Sequence, residues 1–244
     1  MFSFDSRVRF SECTESGQLS LVGLINYLQD CSTFHSERLG VGIGHLKRNH
    51  FAWFISNWQI DILRMPRFDE KIRVSTWCYK ENSFMAWRNF TIEDETGTML
   101  VRADSLWFTY DTAEDRIIKV PASERVYLEG GERLDMPPLV RKLKVEGEGR
   151  EASPVTITEQ HLDTNGHVNN AQYVLIAVNA ALAQLGCADV EPTSIAVQYK
   201  LAAHEGDVLL PMVYVEDGAC TVDLTDEEGA SRAVVRATFS ADAA

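Results

Sequence analysis

The chain has 244 residues, with 23 lysines and arginines against 36 aspartates and glutamates, a formal net charge of −13. So large an acidic surplus argues against nucleic-acid binding, which depends on neutralising phosphates with basic side chains. A composition 45% hydrophobic and only 24% charged excludes wholesale disorder.

At ~100–150 residues per domain, the length fits one large domain or two small ones. No apolar run approaches the ~18–20 residues of a membrane-spanning helix. Met1 to Phe10, interrupted by Asp5, Arg7 and Arg9, lacks the apolar stretch of a secretory signal. Cys13, Cys31, Cys78, Cys187 and Cys220 form no CxxC pair, and an odd, scattered set fits reduced thiols. A cytoplasmic location is the expectation.

In chain order, Leu21, Leu24, Ile25, Leu28 and Cys31 recur near the spacing of one helix face, and Gly40 stands where a helix stops. Gly40-Val41-Gly42-Ile43-Gly44 follows a helix rather than a strand, so it reads as a flexible connection and not a dinucleotide loop. Strands are expected at roughly 53–64, 71–80, 84–93 and 99–111. In the second of these, Ile72, Val74, Thr76 and Cys78 alternate against Arg73, Ser75, Trp77 and Tyr79 with the period of a pleated strand. Glu93 to Gly97 reads as a hairpin turn. The five tryptophans, Trp53, Trp58, Trp77, Trp87 and Trp107, read as core residues.

Leu134 to Arg150 contains Pro137-Pro138, the basic run Arg141-Lys142-Leu143-Lys144 and two glycines, and reads as a linker. A second helical pattern follows at Val168, Ala171, Val174, Leu175, Val178, Leu182 and Leu185, closed by Gly186. Strands are then expected at roughly 194–201, 208–215, 220–226 and 232–240. A shift of 146 positions lays Tyr27 on Tyr173 and Leu39-Gly40 on Leu185-Gly186. The chain thus reads as an α+β protein with two similar halves: residues 1–138, a linker at 139–150, and residues 151–244.

The densest polar cluster, His161-Leu162-Asp163-Thr164-Asn165-Gly166-His167-Val168-Asn169-Asn170, precedes the second helix. A helix start offers unpaired N–H groups and a positive dipole end, which suit a developing oxyanion. His167 can act as a base, because imidazole ordinarily titrates near ~6.5. Asp163 can orient a water molecule, activate it or attack directly, and Asn165 can donate and accept. Two other readings stand beside this one. Asp163, Thr164 or Asn165 could be a plain helix cap. In an extended segment, His161, Asp163, Asn165 and His167 would fall on one side, and the two histidines with the carboxylate could begin a metal site. No GxSxG elbow of a serine hydrolase occurs.

Asp163-x-Asn165-x-His167-Val168-Asn169-Asn170-x-x-Tyr173 resembles the signature of the plant and bacterial acyl-ACP thioesterases. Agreement extends to Gly17-x-Leu19-Ser20, Tyr27-Leu28-Gln29-Asp30, His35-Ser36-x-x-Leu39-Gly40, Trp53-x-Ile55, Trp87-Arg88-x-Phe90 and Ser105-x-Trp107, so it covers nearly the whole chain. The resemblance implies a tandem double hotdog fold, each half a long helix wrapped by a curved antiparallel sheet. It also implies an acyl pocket in the first half and catalysis by Asp163, Asn165 and His167 in the second. The implied reaction hydrolyses fatty acyl-ACP to free fatty acid and acyl carrier protein, with no cofactor and no metal. The alternatives are an acyl-CoA thioesterase or a non-catalytic acyl-binding hotdog protein. Oligomeric state stays open, a homodimer being one option. In one respect the chain departs from the pattern: Ala202 stands where the family usually has glutamate, leaving His204 or Glu205 as nearby substitutes. Because carrier proteins are themselves acidic, docking needs a local basic patch, for which Arg64, Arg67, Arg141, Lys142 and Lys144 are candidates.

Overall fold

The computed structural model describes residues 1–128, 131–187 and 190–239. Contacts divide the chain into two compact units, Met1–Leu139 and Val140–Ala244. In the first unit, strand β1 (Phe2–Arg7) leads to helix α1 (Leu21–Arg38) and the short helix α2 (Ile43–Arg48). Strands β2 (Phe51–Ile62), β3 (Lys71–Glu81), β4 (Met85–Asp94), β5 (Met99–Asp111) and β6 (Arg116–Ile118) follow. The antiparallel order is β1-β3-β4-β5-β2. Strand β4 pairs with β5 as far as Phe108, and β6 pairs with the next three residues of β5, Thr109 to Asp111.

Helix α1 forms because its apolar positions fall on one stripe and Ser20 caps its start, accepting the Gly23 N–H at 3.1 Å. Leu24, Ile25, Leu28 and Cys31 are fully buried, as their spacing predicts. The Cys31 thiol donates to the Val74 carbonyl at 3.5 Å, which places this stripe over β3. There Ile72, Val74, Thr76 and Cys78 all turn inward. Burying each large aliphatic side chain contributes roughly 1.5–3 kcal/mol, so this stripe, not helix propensity, holds α1 in place. Of the tryptophans only Trp58 is fully buried, packed 5.0 Å from the Phe90 ring. Trp53, Trp77 and Trp107 are half-buried, and their indole N–H groups reach Glu124, the Glu132 carbonyl and Ser105.

The glycine-rich stretch after α1 is pinned rather than flexible. Val41 N–H bonds to the Ser36 carbonyl, and the Glu37 carboxylate accepts the Ile43 N–H at 2.8 Å, so Ile43 and Gly44 already belong to α2. A side chain at Gly42 would run into the Glu37 carboxylate.

The stretch expected to begin the linker is tied down as well. Residues 131–138 lie along the first unit's sheet as a strap. Trp77 donates to the Glu132 carbonyl, Arg102 to that of Asp135 and Gln59 to that of Pro137, while Asn89 accepts the Leu134 N–H. Arg133 reaches the buried Asp104 carboxylate at 3.3 Å and caps the Met136 and Pro137 carbonyls. Tyr79 donates to both Asp104 oxygens at 3.0 Å. Burial pushes the Asp104 carboxyl above its usual range, against the opposing pull of Tyr79 and Arg133.

In the second unit, β7 (Arg150–Glu151) and β8 (Val155–Thr156) edge β10, and helix α3 (Asn170–Leu185) precedes β9 (Pro192–Tyr199), β10 (Val208–Glu216), β11 (Ala219–Thr225) and β12 (Ser231–Phe239). The antiparallel order is β9-β12-β11-β10. Ser240, the expected end of the last strand, lies outside the described residues. Helix α3 packs on β10, β11 and β12. It buries Ala171, Tyr173, Val174, Ile176, Ala177, Val178, Ala180 and Ala181, whereas Leu185 is exposed. Each unit is therefore α+β, one long helix laid against an antiparallel sheet, the expected hotdog layout.

The repeat has two registers. Gly40 and Gly186, 146 positions apart, both adopt positive φ (79° and 68°) just past their helices. At the helix entrances the matching glycines are Gly17 and Gly166, 149 apart, each with φ 75°. The first unit therefore has three more residues between these landmarks, two of them in helix α1 (18 residues against 16 in α3), and Tyr27 does not occupy the place of Tyr173.

Candidate active site

The polar segment is a tight turn. Leu162 and Val168 form an antiparallel bridge, Asp163 N–H bonds to the His167 carbonyl at 2.7 Å, and Gly166 N–H returns to the Asp163 carbonyl at 3.1 Å. Gly166 makes the reversal possible, since φ 75° is the left-handed conformation that side chains with a Cβ resist. The turn overrides the extended alternation expected for His161, Asp163, Asn165 and His167. His161 is drawn off by its own contacts, its Nδ1 accepting the Thr158 N–H at 2.9 Å. Among the described residues no group of three or more His, Cys, Asp and Glu is disposed to hold a metal ion.

Nor is Asp163, Thr164 or Asn165 the helix cap. That role falls to Asn169, whose side chain accepts the Ala171 N–H at 2.9 Å. Asp163 instead organises the turn. Its Oδ1 accepts the backbone N–H of Asn165 at 2.7 Å and of His167 at 3.3 Å, while Oδ2 lies 3.4 Å from Asn165 Nδ2. The structure thus brings Asp163, Asn165 and His167 together within five residues, with Asn165 exposed and the other two half-buried.

The first unit holds the same turn without the chemistry. Thr14 N–H bonds to the Gln18 carbonyl, Gly17 N–H returns to Thr14, and Cys13 bridges Leu19. Thr14, Ser16 and Gln18 thus sit where Asp163, Asn165 and His167 sit in the second unit. In both units the turn's last residue is clipped to a distant loop, Leu19 N–H to the Pro66 carbonyl and Val168 N–H to that of Ala203.

That clip brings in the residues sequence spacing does not reveal. Tyr173, on the first turn of α3, accepts the Ala203 N–H through its hydroxyl at 2.8 Å. Burial pushes that hydroxyl up to about 12, and the Asp163 charge adds to the effect. His204, the next residue, lays its ring against His167, with centroids 5.0 Å apart and planes at 80°. Ala202 is exposed, and its carbonyl accepts from Arg232 at 2.5 Å. A signal for His204 existed only as a histidine near the Ala202 position; the contact itself is tertiary.

Because nothing lies within 4 Å of a Cβ built at Gly166 or Gly17, alanine at either costs backbone strain alone, ~1–2 kcal/mol. Gly166→Ala and Gly17→Ala are expected to lower the melting temperature by similar amounts. Melting curves of the two variants measured side by side will check this.

Fold and turn together define a hotdog protein whose polar turn sits at the head of the second unit's helix. Residues 1–126 match the acyl-ACP thioesterase N-terminal domain and residues 148–241 the C-terminal domain of the same family, and the chain belongs to the acyl-ACP thioesterase family. A chloroplastic palmitoyl-acyl carrier protein thioesterase of Gossypium hirsutum is 25% identical over 89% of this chain and 55% of its own length. Another from Cuphea hookeriana is 27% identical over 71% of this chain and 45% of its own. The chain thus spans about half the length of the curated relatives it matches. The same fold occurs in the crystal structure of an acyl-ACP thioesterase from Bacteroides thetaiotaomicron (TM-score 0.87, 21% identity, 98% of this chain and 97% of that one). It recurs in the 12:0-ACP thioesterase from Umbellularia californica (TM-score 0.82, 19% identity, 98% and 96%).

Proposed function

We propose that this chain hydrolyses fatty acyl thioesters of acyl carrier protein, releasing free fatty acid, with Asp163, Asn165 and His167 as its working groups. The observation that carries this reading is the Asp163–His167 turn, which presents a carboxylate, an amide and an imidazole together in a member of this family. His167 takes a proton from water as the oxygen attacks the thioester carbon. The C–O bond forms, the C–S bond breaks, and the departing thiolate recovers the proton. Asp163 holds the turn rather than attacking, because its oxygens already face turn N–H groups, and an occupied carboxylate is a poor nucleophile. Asn165, exposed at the tip, is placed to hold the water or the carbonyl oxygen.

Residues 1–138 serve as the acyl-pocket half and 151–244 as the catalytic half. The five unbridged cysteines accord with a reducing, cytoplasmic setting. No helix among the described residues is long and apolar enough to cross a membrane. For carrier docking, Arg64 drops out of the candidate patch, since Glu70 holds its guanidinium at 2.5 and 3.0 Å. Arg141, Lys142 and Lys144 are exposed and keep their place.

At matched concentrations, kcat/KM for a long-chain acyl-ACP is expected to exceed that for the same acyl-CoA by ~10-fold or more, since only the carrier protein adds protein–protein contacts. Equal or higher values for the CoA ester would make the chain an acyl-CoA thioesterase. Tight acyl binding without turnover on either would make it a binding protein.

A further inference from the structure

We infer that His204 is a positioning residue for His167, its ring fixing the plane of the imidazole that takes the proton. This rests on the proposed function for its consequence in turnover, and on the structure alone for the contact.

His204 is not on a loose loop. The preceding residue is clamped at both ends of its peptide, Ala203 N–H to the Tyr173 hydroxyl at 2.8 Å and Ala203 C=O from the Val168 N–H at 3.0 Å. His204 N–H bonds to Asp207 Oδ2 at 2.9 Å, and Asp207 N–H returns to the His204 carbonyl at 3.2 Å. Two further bonds, Gly206 N–H to Ile157 C=O at 2.9 Å and Ile157 N–H to Asp207 C=O at 2.8 Å, tie the loop to the chain before the turn. Arg232 holds the Ala202 carbonyl from the other side. The loop carrying this exposed residue is thus fixed by seven hydrogen bonds, two of them made by the backbone of His204 itself, and its side chain stands edge-to-face with His167.

The His167 imidazole is restrained at two levels. Its backbone is set by the Asp163 turn, but rotation about its side-chain bonds is a separate freedom. A ring packed at 80° and 5.0 Å restricts that freedom. Aromatic contacts of this kind are worth a factor of about ten at most. A group that itself transfers protons is worth ~10²–10⁴. The size of the effect therefore separates positioning from chemistry.

The test uses the full chain with His204→Ala, His204→Gln and His204→Phe. On acyl-ACP, His204→Ala and His204→Gln are expected to lower kcat about 5- to 10-fold with KM within about 2-fold. His204→Phe, which restores the ring without its nitrogens, should recover most of that loss. In parallel, side-chain NMR of the His167 ring should show a single ordered set of resonances in wild type and His204→Phe, and shifted, averaged ones in His204→Ala. A kcat loss of ~10²-fold that phenylalanine does not rescue would overturn positioning by making His204 a proton-transfer group. Wild-type kcat and unchanged His167 resonances in His204→Ala would overturn it by showing the contact idle. If wild type hydrolyses no thioester, the proposed function fails, while the NMR comparison still decides whether His204 orders His167.

Discussion

Replacing His167 by alanine is expected to lower kcat on acyl-ACP by ~10²–10⁴, the usual worth of a general base, without unfolding the protein. The side chain is half-buried at a turn, and none of the turn's backbone hydrogen bonds depends on it. Asp163→Ala should lose turnover on a similar scale for a different reason. Its carboxylate accepts the N–H groups of both Asn165 and His167, so its removal unties the turn that aims the other two groups. Asp163→Asn, which keeps one carbonyl oxygen as acceptor, should fall between wild type and alanine. Steady-state kinetics beside circular dichroism will check both parts, and wild-type turnover in the His167 and Asp163 variants would remove these residues from the mechanism.

The second large effect is expected on stability, at Asp104. This carboxylate is fully buried and accepts from Tyr79, from Arg133 and from the Ser105 N–H at 2.9 Å. Asp104→Ala abandons those donors and frees the strap at residues 131–138. A loss of ~2–4 kcal/mol is expected, below the upper range for a broken buried pair because Arg133 is partly exposed. Asp104→Asn keeps an acceptor for Tyr79 and should cost ~1 kcal/mol.

The pH dependence gives a sharper check. Burial raises the Asp104 carboxyl in the folded state, so the folded chain binds this proton more tightly than the unfolded chain does. The stability this contributes is complete below the ordinary carboxylate range near ~3.9 and is lost as pH climbs through the raised value. In urea titrations, the advantage of wild type over Asp104→Asn should therefore shrink with rising pH across that window. A gap that widens instead would mean that the Arg133 charge pair outweighs burial.

The sequence made the first unit more legible than the second, for reasons visible in single residues. In α1 the stripe of leucine, isoleucine and cysteine read from the spacing is buried, joined by Gly23, Tyr27 and His35. In α3 half of the buried face is alanine, which carries little periodic signal, so the pattern finds the buried Ala171, Val174 and Val178 but adds the half-buried Leu175 and Leu182 and the exposed Leu185. It also began the helix too early, because Val168 continues the apolar rhythm although it belongs to a bridge with Leu162. The long strand β3 is readable from alternation, whereas β5 buries residues on both faces. The short β6, β7 and β8 exist only through their partners, and two or three residues carry no period.

At the site, the grouping of Asp163, Asn165 and His167 was readable from spacing, whereas its shape was not. An extended reading and a turn place the same residues differently, and the choice rests on Gly166. His204 and Tyr173 reach the turn through Ala203, 36 residues after His167. Nothing local announces such a contact.

The paired turns bear on how such a chain evolves. Thr14, Ser16 and Gln18 close the first turn through the same backbone bonds that Asp163, Asn165 and His167 close in the second. The backbone closes the turn with or without an amide and an imidazole on it, so folding places little purifying selection on Asn165 and His167, whereas Asp163 is also held by its bonds to the turn's N–H groups. Those two side chains can drift into chemical silence while the turn's backbone bonds stay as they are. Yield of folded protein therefore says nothing about whether a given descendant is still an enzyme; only the three side chains of the second turn, and selection on turnover itself, keep that record.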